Sequence, residues 1–351
     1  MPISSGSAAT PSPTEPDCQL VSTPSAVPDD SAHALRALLA AGRFQDALEL
    51  HRGLAGGPDG RRGDVQLLAA TAATRLGELD LGTSLADKAL QQYRRRGDWD
   101  GRMRSLNLLG AIQFERGNMA EAEQCFAEAL RLGRQLGDSL MLARACNNLA
   151  SVAHLQGRTD DSAELYRGAL LAYQRLGDRR GMAETYHNLG LVYRQAGDWR
   201  AAEDAAHDAV RHADVVGERS LLALVLTGRA ELSVERDDPA LAQRELERAG
   251  RLAREASDAI GAADVARVKA LAALRQENWQ LALDHAEAAR LVALAHGSAQ
   301  LAAECAGIAA RALRELGRIE EANDLRSHAE RGFRELGATI LLERLELEWG
   351  S

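Results

Sequence analysis

The fold is decided by the segment GDSLMLARACNNLASVAHLQGRTDDSAELYRGALLAYQRLGD, which spans residues 137–178. It opens and closes on a Gly-Asp pair, and these pairs recur every 40 residues, at Gly97-Asp98, Gly137-Asp138 and Gly177-Asp178. Gly117, Gly157 and Gly197 lie midway between the pairs. Glycine ends helices in the left-handed conformation, and Asp or Asn caps the start of the next helix. The pattern therefore predicts a helical hairpin that repeats every 40 residues.

The same register extends along most of the chain. Hairpin turns are predicted near residues 42, 77, 117, 157, 197, 237, 277 and 317, with connections between hairpins midway. Each half period leaves a helix of about 17 residues, roughly 25 Å long. We predict an all-α solenoid of about eight antiparallel hairpins over residues 31–337, with Ser31 as the first N-cap, and a C-terminal capping helix over residues 338–351. The glycine-rich segment 56–63 breaks the spacing and is predicted to be a flexible linker.

Composition sets the segment 1–30 apart from the array. Six of the eight prolines lie in its first 28 positions, among many Ser, Thr and Ala residues. Such a segment offers too little apolar surface to offset the entropy of ordering, so a disordered tail is predicted. It has no basic start followed by an apolar run, and no apolar stretch of the chain reaches 18 residues, so neither a signal peptide nor a membrane span is expected. We expect a cytoplasmic protein.

The ionisable residues do not form the clusters that catalysis or metal binding requires. The nine histidines show no H-x-x-x-H or H-E-x-x-H spacing, and the four cysteines form no C-x-x-C pair. The net charge is −9, without a basic block, which argues against direct nucleic-acid binding. The sequence therefore predicts no enzyme, no metal and no cofactor.

Particular residues of the repeat resemble a known signature. Tyr186-x-x-Leu189-Gly190-x-x-Tyr193, followed by Ala202, is similar to the tetratricopeptide pattern, as is Ala122-x-x-x-Phe126 with Ala129. The 40-residue period resembles the long-repeat branch of that family, seen in kinesin light chains, Pins and the Rap-type peptide receptors. The resemblance implies a right-handed superhelix in which the first helix of each hairpin lines the concave surface. It also implies binding of a protein or peptide partner.

A polar ladder on the first helices is the candidate binding site. Residues 40 apart would stack as rungs, and asparagine amides can hydrogen-bond to an extended peptide backbone while arginines bind its acidic groups. The candidate residues are Arg104, Asn107, Arg144, Asn147, Asn148, Ser151, His187, Asn188 and Arg194. The alternative is that the asparagines join neighbouring hairpins and stabilise the superhelix.

The ladder predicts a non-catalytic interaction scaffold or adaptor. Two alternatives stay open at this point. One is a signal-sensing regulator, of bacterial origin as the arginine- and alanine-rich composition suggests, that acts through a partner protein. The other is a structural protein that self-associates through the apolar segment Thr339–Trp349.

Overall fold

The computed structural model describes residues 30–350, and this part of the chain consists of α-helices and one 3₁₀ turn, without strands. The helices are α1 (Asp30–Ala40), α2 (Phe44–Leu54), α3 (Gly63–Arg75), α4 (Leu79–Arg96), α5 (Trp99–Glu115), α6 (Met119–Leu136), α7 (Ser139–Leu155), α8 (Thr159–Leu176), α9 (Arg179–Gln195), α10 (Trp199–Val216), α11 (Arg219–Glu235), α12 (Pro239–Glu255), α13 (Ala259–Arg275), α14 (Trp279–Ala295), α15 (Ala299–Glu315), α16 (Ile319–Glu335) and α17 (Thr339–Gly350). The predicted tail lies outside the described residues, except that Asp30 begins α1.

The first sixteen of these helices pair in chain order as eight hairpins, which stack into a helical repeat solenoid. Every predicted turn and connection from residue 77 to residue 337 has a positive φ angle. Most are glycines, but Asp237, Ser257 and Glu277 adopt φ values of 59°, 54° and 58°. The 40-residue register therefore fixes the backbone conformation even where the side chain disfavours it. The all-helical repeat architecture is confirmed.

Two local predictions in the first hairpins are wrong. Ser31 lies inside α1, and its hydroxyl donates to the Asp59 carboxylate at 3.3 Å instead of capping the helix. The segment 56–63 contains a 3₁₀ turn, Asp59–Arg61, rather than a free linker. Gly60 is buried there, and a Cβ on it would lie 2.3 Å from the Leu54 carbonyl oxygen. Glycine at residue 60 thus permits close backbone packing, which composition alone did not distinguish from flexibility.

The solenoid closes on itself. One apolar cluster joins Met119, Phe126 and Leu155, from the middle of the chain, to Phe333 and Leu336 near its end. The turn at Gly117 lies directly against the end of α16, where a Cβ on Gly117 would be 2.2 Å from the Glu335 carbonyl oxygen. The first helices of the later hairpins, α9, α11, α13 and α15, therefore face a partly enclosed interior.

The terminal helix α17 does more than cover the last hairpin. It contacts α7 as well as α16, and Leu345 on it is buried in the closing cluster. Trp349 stacks between the guanidinium groups of Arg314 and Arg326, at 5.0 and 4.9 Å from its ring. Cation–π contacts of this kind, together with apolar burial, dock α17 onto the array.

Candidate functional site

The interior holds a cavity of about 710 Å³. Its walls are the first helices α9, α11, α13 and α15, together with the C-terminal ends of α5 and α7 and one face of α17. Apolar side chains such as Leu191, Leu224 and Leu341 alternate there with charged and amide side chains. A concave site of this size is typical of ligand binding in proteins, although this wall carries more charged side chains than most such sites.

An ionic cluster centred on Glu231 forms one wall of the cavity. The Glu231 side chain is only 5% exposed and lies 2.8 Å from both Arg194 and Arg267. Burial disfavours the carboxylate, but Arg194, Arg267 and Arg344 outweigh burial and hold the pKa of Glu231 well below its usual value. The carboxylate is therefore charged at neutral pH, and its partners hold α9, α11 and α13 together.

Arginines in the wall are shared between several carboxylates. Arg267 also contacts Asp264 at 2.7 Å and Glu304 at 3.3 Å, so one guanidinium serves α11, α13 and α15. Arg180 likewise bridges Glu184 and Glu218. Carboxylates thus outnumber the cations that neutralise them in this part of the wall.

Two histidines line the cavity in the neutral form. Burial lowers the pKa of His154 to about 4, with a further contribution from the nearby charge of Arg194, and the Nδ1 atom of His154 is buried without a hydrogen-bond partner. Burial also lowers the pKa of His187. Gly228 makes room for the His187 ring, since a Cβ there would lie 2.5 Å from the His187 Cε1 atom. Both rings can therefore accept or donate one neutral hydrogen bond to a ligand.

The structure brings three of the nine predicted site residues to this cavity, namely His187, Asn188 and Arg194. Of these, Arg194 is already paired with Glu231 and lies 3.6 Å from Glu235. Asn188 lines the cavity together with its chain neighbour His187.

The other asparagines of the ladder join neighbouring repeats. The Asn148 amide donates to the Asn107 side-chain oxygen at 3.1 Å, and the Thr185 hydroxyl donates to the Asn147 side-chain oxygen at 3.0 Å. Each bond connects first helices of successive hairpins. The geometry favours the alternative interpretation of these asparagines, in which they stabilise the stack.

The remaining three candidates lie away from the cavity. Ser151 shares a 2.8 Å hydrogen bond with the hydroxyl of Tyr166 inside its own hairpin. Arg104 pairs with Asp100 at 2.9 Å on the same helix, and Arg144 is exposed in the first half of α7. Neither arginine is among the residues that line the cavity.

Sequence reasoning missed the acidic half of the wall. The repeat position of Arg104 and Arg144 continues, at steps of 40 residues, to Glu184, Asp264 and Glu304, and these three carboxylates do line the cavity. The same 40-residue register that predicts the turns would have shown that the charge at this repeat position changes from positive to negative. Among the residues that the structure describes, no group of His, Cys, Asp and Glu could hold a metal ion, and no helix is long and apolar enough to cross a membrane.

Comparison with known proteins identifies the repeat. The tetratricopeptide repeat family model matches residues 62–135 and 141–214. No curated protein matches the sequence.

Solved structures share the fold at low identity. A Rap protein complexed with Competence and Sporulation Factor is 14% identical, with a TM-score of 0.61 over 90% of this chain and 95% of that one. The Rap conjugation gene regulator of the plasmid pLS20, in complex with the Phr* peptide, is 15% identical, with a TM-score of 0.65 over 78% and 74%. The apo quorum sensor NprR from B. thuringiensis is 13% identical, with a TM-score of 0.64 over 86% of each chain.

Proposed function

Because residues 62–135 and 141–214 match the tetratricopeptide repeat family, we propose that the chain is a non-catalytic interaction protein that binds a peptide, or a short extended segment of a partner protein, on its concave side. The observation that carries this proposal is the partly enclosed cavity of about 710 Å³ between the first helices. Its volume falls in the range of about 300–1,000 Å³ that small-ligand sites occupy. Two proteins of similar fold are described in complex with a factor or peptide, which supports a ligand of this class.

The cavity offers positioning groups but no reacting set. Asn188 supplies an amide that can bond to a peptide backbone, and His154 and His187 are neutral. The carboxylates whose charges act on His187, Glu231 and Asp264, are paired with arginines, so neither is poised as a general base. We assign ligand contact to His187, Asn188 and Arg194, and inter-repeat bonding to Asn107, Asn147 and Asn148.

Selection from a random heptapeptide display library tests this function directly. The wild-type array should enrich specific sequences. Leu224→Trp places a large ring at a cavity-lining leucine and should abolish that enrichment, since the indole takes the ligand's volume. Leu291→Trp is the matched control, because Leu291 is also an exposed leucine but lies on α14, outside the cavity lining.

The outcomes of this selection test separately whether the array binds a peptide and whether the peptide binds in the cavity. If wild type and both variants enrich the same peptides, binding occurs elsewhere on the array. If no sequence is enriched by any of the three proteins, peptide binding is wrong as the function.

A sensor is the second candidate function, and the docking of α17 favours it. A terminal helix that helps to close the cavity couples ligand binding to a change of shape. An adaptor with a rigid site should keep its radius of gyration in small-angle X-ray scattering when an enriched peptide is added. A sensor should change it, and would then act through a partner protein in the cytoplasm without contacting nucleic acid directly.

Self-association through Thr339–Trp349 is the weaker alternative. Leu345 and Trp349 are used within the array, and Leu347 is the large apolar side chain of α17 that stays exposed, at 76%. Light scattering across a concentration series, with Leu347→Ser as the variant, distinguishes a monomer from an end-to-end assembly.

A further inference from the structure

The charges of the cavity wall identify a class of ligand. Among the described residues the wall carries five arginines, which are Arg75, Arg180, Arg194, Arg267 and Arg344, and seven carboxylates, which are Glu115, Glu184, Glu218, Glu231, Asp258, Asp264 and Glu304. The excess of carboxylates inside a partly enclosed space produces a negative potential there, because low-dielectric walls focus the field. An anionic ligand would be repelled by this wall, and a cationic ligand would be attracted.

One cationic side chain, Arg344 of α17, already lies near the lining carboxylate of Glu231 and near Glu235, which is one helical turn further along α11 and is not among the lining residues. Arg344 lies 3.9 Å from Glu231 and 3.8 Å from Glu235, whereas Arg194 and Arg267 contact Glu231 at 2.8 Å. The Arg344 contacts are thus the loosest of the cluster, and Arg344 makes its close contact with Glu348 of its own helix, at 2.9 Å. Removing Arg344 would leave Glu231 with both of its close partners.

We propose that the ligand of the central cavity is a short cationic peptide, whose arginine or lysine side chain takes the place of Arg344 on the carboxylates of Glu231 and Glu235. The inference rests on the proposed function and adds the charge of the ligand and the point that it contacts. It differs from the sequence-based expectation, in which arginines of the groove bind acidic groups of the partner. Arg344 of α17 then acts as an internal competitor for the ligand.

The composition of the enriched peptides is the first test. Sequences that the wild-type array enriches from a random heptapeptide library should contain more Arg and Lys, and less Asp and Glu, than the input library. If enriched peptides are neutral or acidic, the charge assignment is wrong while peptide binding stands. If nothing is enriched, the proposed function fails and the assignment fails with it.

Two variants with opposite expected effects test the position of the cation. Arg344→Met removes the competitor and should tighten binding of the most enriched peptide about tenfold, as expected for a contact between charged groups. Glu235→Gln removes a carboxylate and should weaken binding about tenfold. Fluorescence anisotropy with that labelled peptide measures both dissociation constants.

Controls of equal charge exclude a general electrostatic effect. Glu203→Gln removes a carboxylate that is paired with Arg236 on the outside of the array, and Arg248→Met removes an exposed arginine paired with Asp214. Both should leave the dissociation constant within about twofold of wild type, because both charges are exposed and exposed charges are screened by water and salt. Equal effects of the cavity variants and these controls, or no effect of either cavity variant, would overturn the placement on Glu231 and Glu235.

Discussion

Replacing Gly117 by Ala should open the closed solenoid, because Gly117 sits where the two distant parts of the array meet. Its φ angle is +79°, and a Cβ there would lie 2.2 Å from the Glu335 carbonyl oxygen and 2.5 Å from the Leu336 Cα. Either distance is about 1 Å shorter than a van der Waals contact permits. Since the obstructing atoms are backbone, they cannot rotate away.

The chain supplies a matched control for the conformational part of the cost. Gly197 occupies the corresponding turn two repeats later with φ +75°, and a Cβ on it would meet no atom within 4 Å. Both alanine variants should lose about 1 kcal/mol of stability from the left-handed conformation. Gly117→Ala should lose a further ~1–3 kcal/mol, the usual cost of overpacking, or less if the closing contact simply separates.

Small-angle scattering and hydrogen exchange measure this difference. The Gly117→Ala protein should have a larger radius of gyration than the Gly197→Ala protein, and amides of α16 and α17 should exchange faster in it. Far-ultraviolet circular dichroism should be the same for both proteins, because the hairpins themselves persist. If the two variants have equal radii and equal exchange, Gly117 does not hold a closed solenoid, and the enclosed cavity loses its basis.

Three further predictions concern individual side chains. The pKa of His154 is about 4 in the folded chain and 6.5 when the side chain is exposed, so between these pH values the unfolded chain binds a proton that the folded chain does not. The free energy of unfolding should therefore be unaffected above about pH 6.5 and should decrease as the pH falls toward 4. The loss at pH 5 should be about 2 kcal/mol, and urea denaturation at pH 7.5 and 5.0 should show that His154→Gln removes it. Glu277→Gly should stabilise the array by about 0.5–1 kcal/mol, because glycine adopts a φ of 58° without the backbone strain that glutamate has there. Gln276→Gly is the control, since residue 276 has a φ of −90°, and it should destabilise the array in thermal denaturation. A double-mutant cycle of Asn107→Ala and Asn148→Ala should give a coupling of about 0.5–1.5 kcal/mol in urea denaturation, and additive effects would contradict the inter-repeat bond.

The helices and turns could be predicted because their causes lie within a few residues. Most helices end at a glycine or its substitute, and many of those that follow begin at an Asp or Asn, so both signals lie within the turn itself. The carboxylates of Asp98 and Asp138, for example, accept hydrogen bonds from the backbone N–H groups of Gly101 and Met141. Register carried the prediction through Glu277, where the residue itself gives no turn signal. The repeat therefore predicted a turn that the conformational propensity of glutamate alone does not predict.

Closure of the solenoid could not be predicted in the same way. The rotation between neighbouring repeats is small and accumulates over eight hairpins, so whether Gly117 meets Leu336 depends on a sum of packing angles that no short motif encodes. Repeat position alone, without closure, predicts a binding ladder within residues 104–194. Closure instead places the inner faces of α9, α11, α13 and α15 around the cavity, and leaves Arg104 and Arg144 outside it.

Docking of α17 gives the cavity a threshold for binding. If a ligand must displace or shift α17, only the molecules in which α17 is undocked can bind it. The apparent affinity is then the intrinsic affinity multiplied by the fraction of such molecules, and each 1.4 kcal/mol of docking free energy reduces the apparent affinity about tenfold. The contacts of α17 include Leu345 in the closing cluster, Trp349 beside Arg314 and Arg326, and Arg344 near the carboxylates. Substitutions that weaken the first two contacts should therefore tighten ligand binding without touching the ligand, whereas a rigid adaptor would show no such coupling.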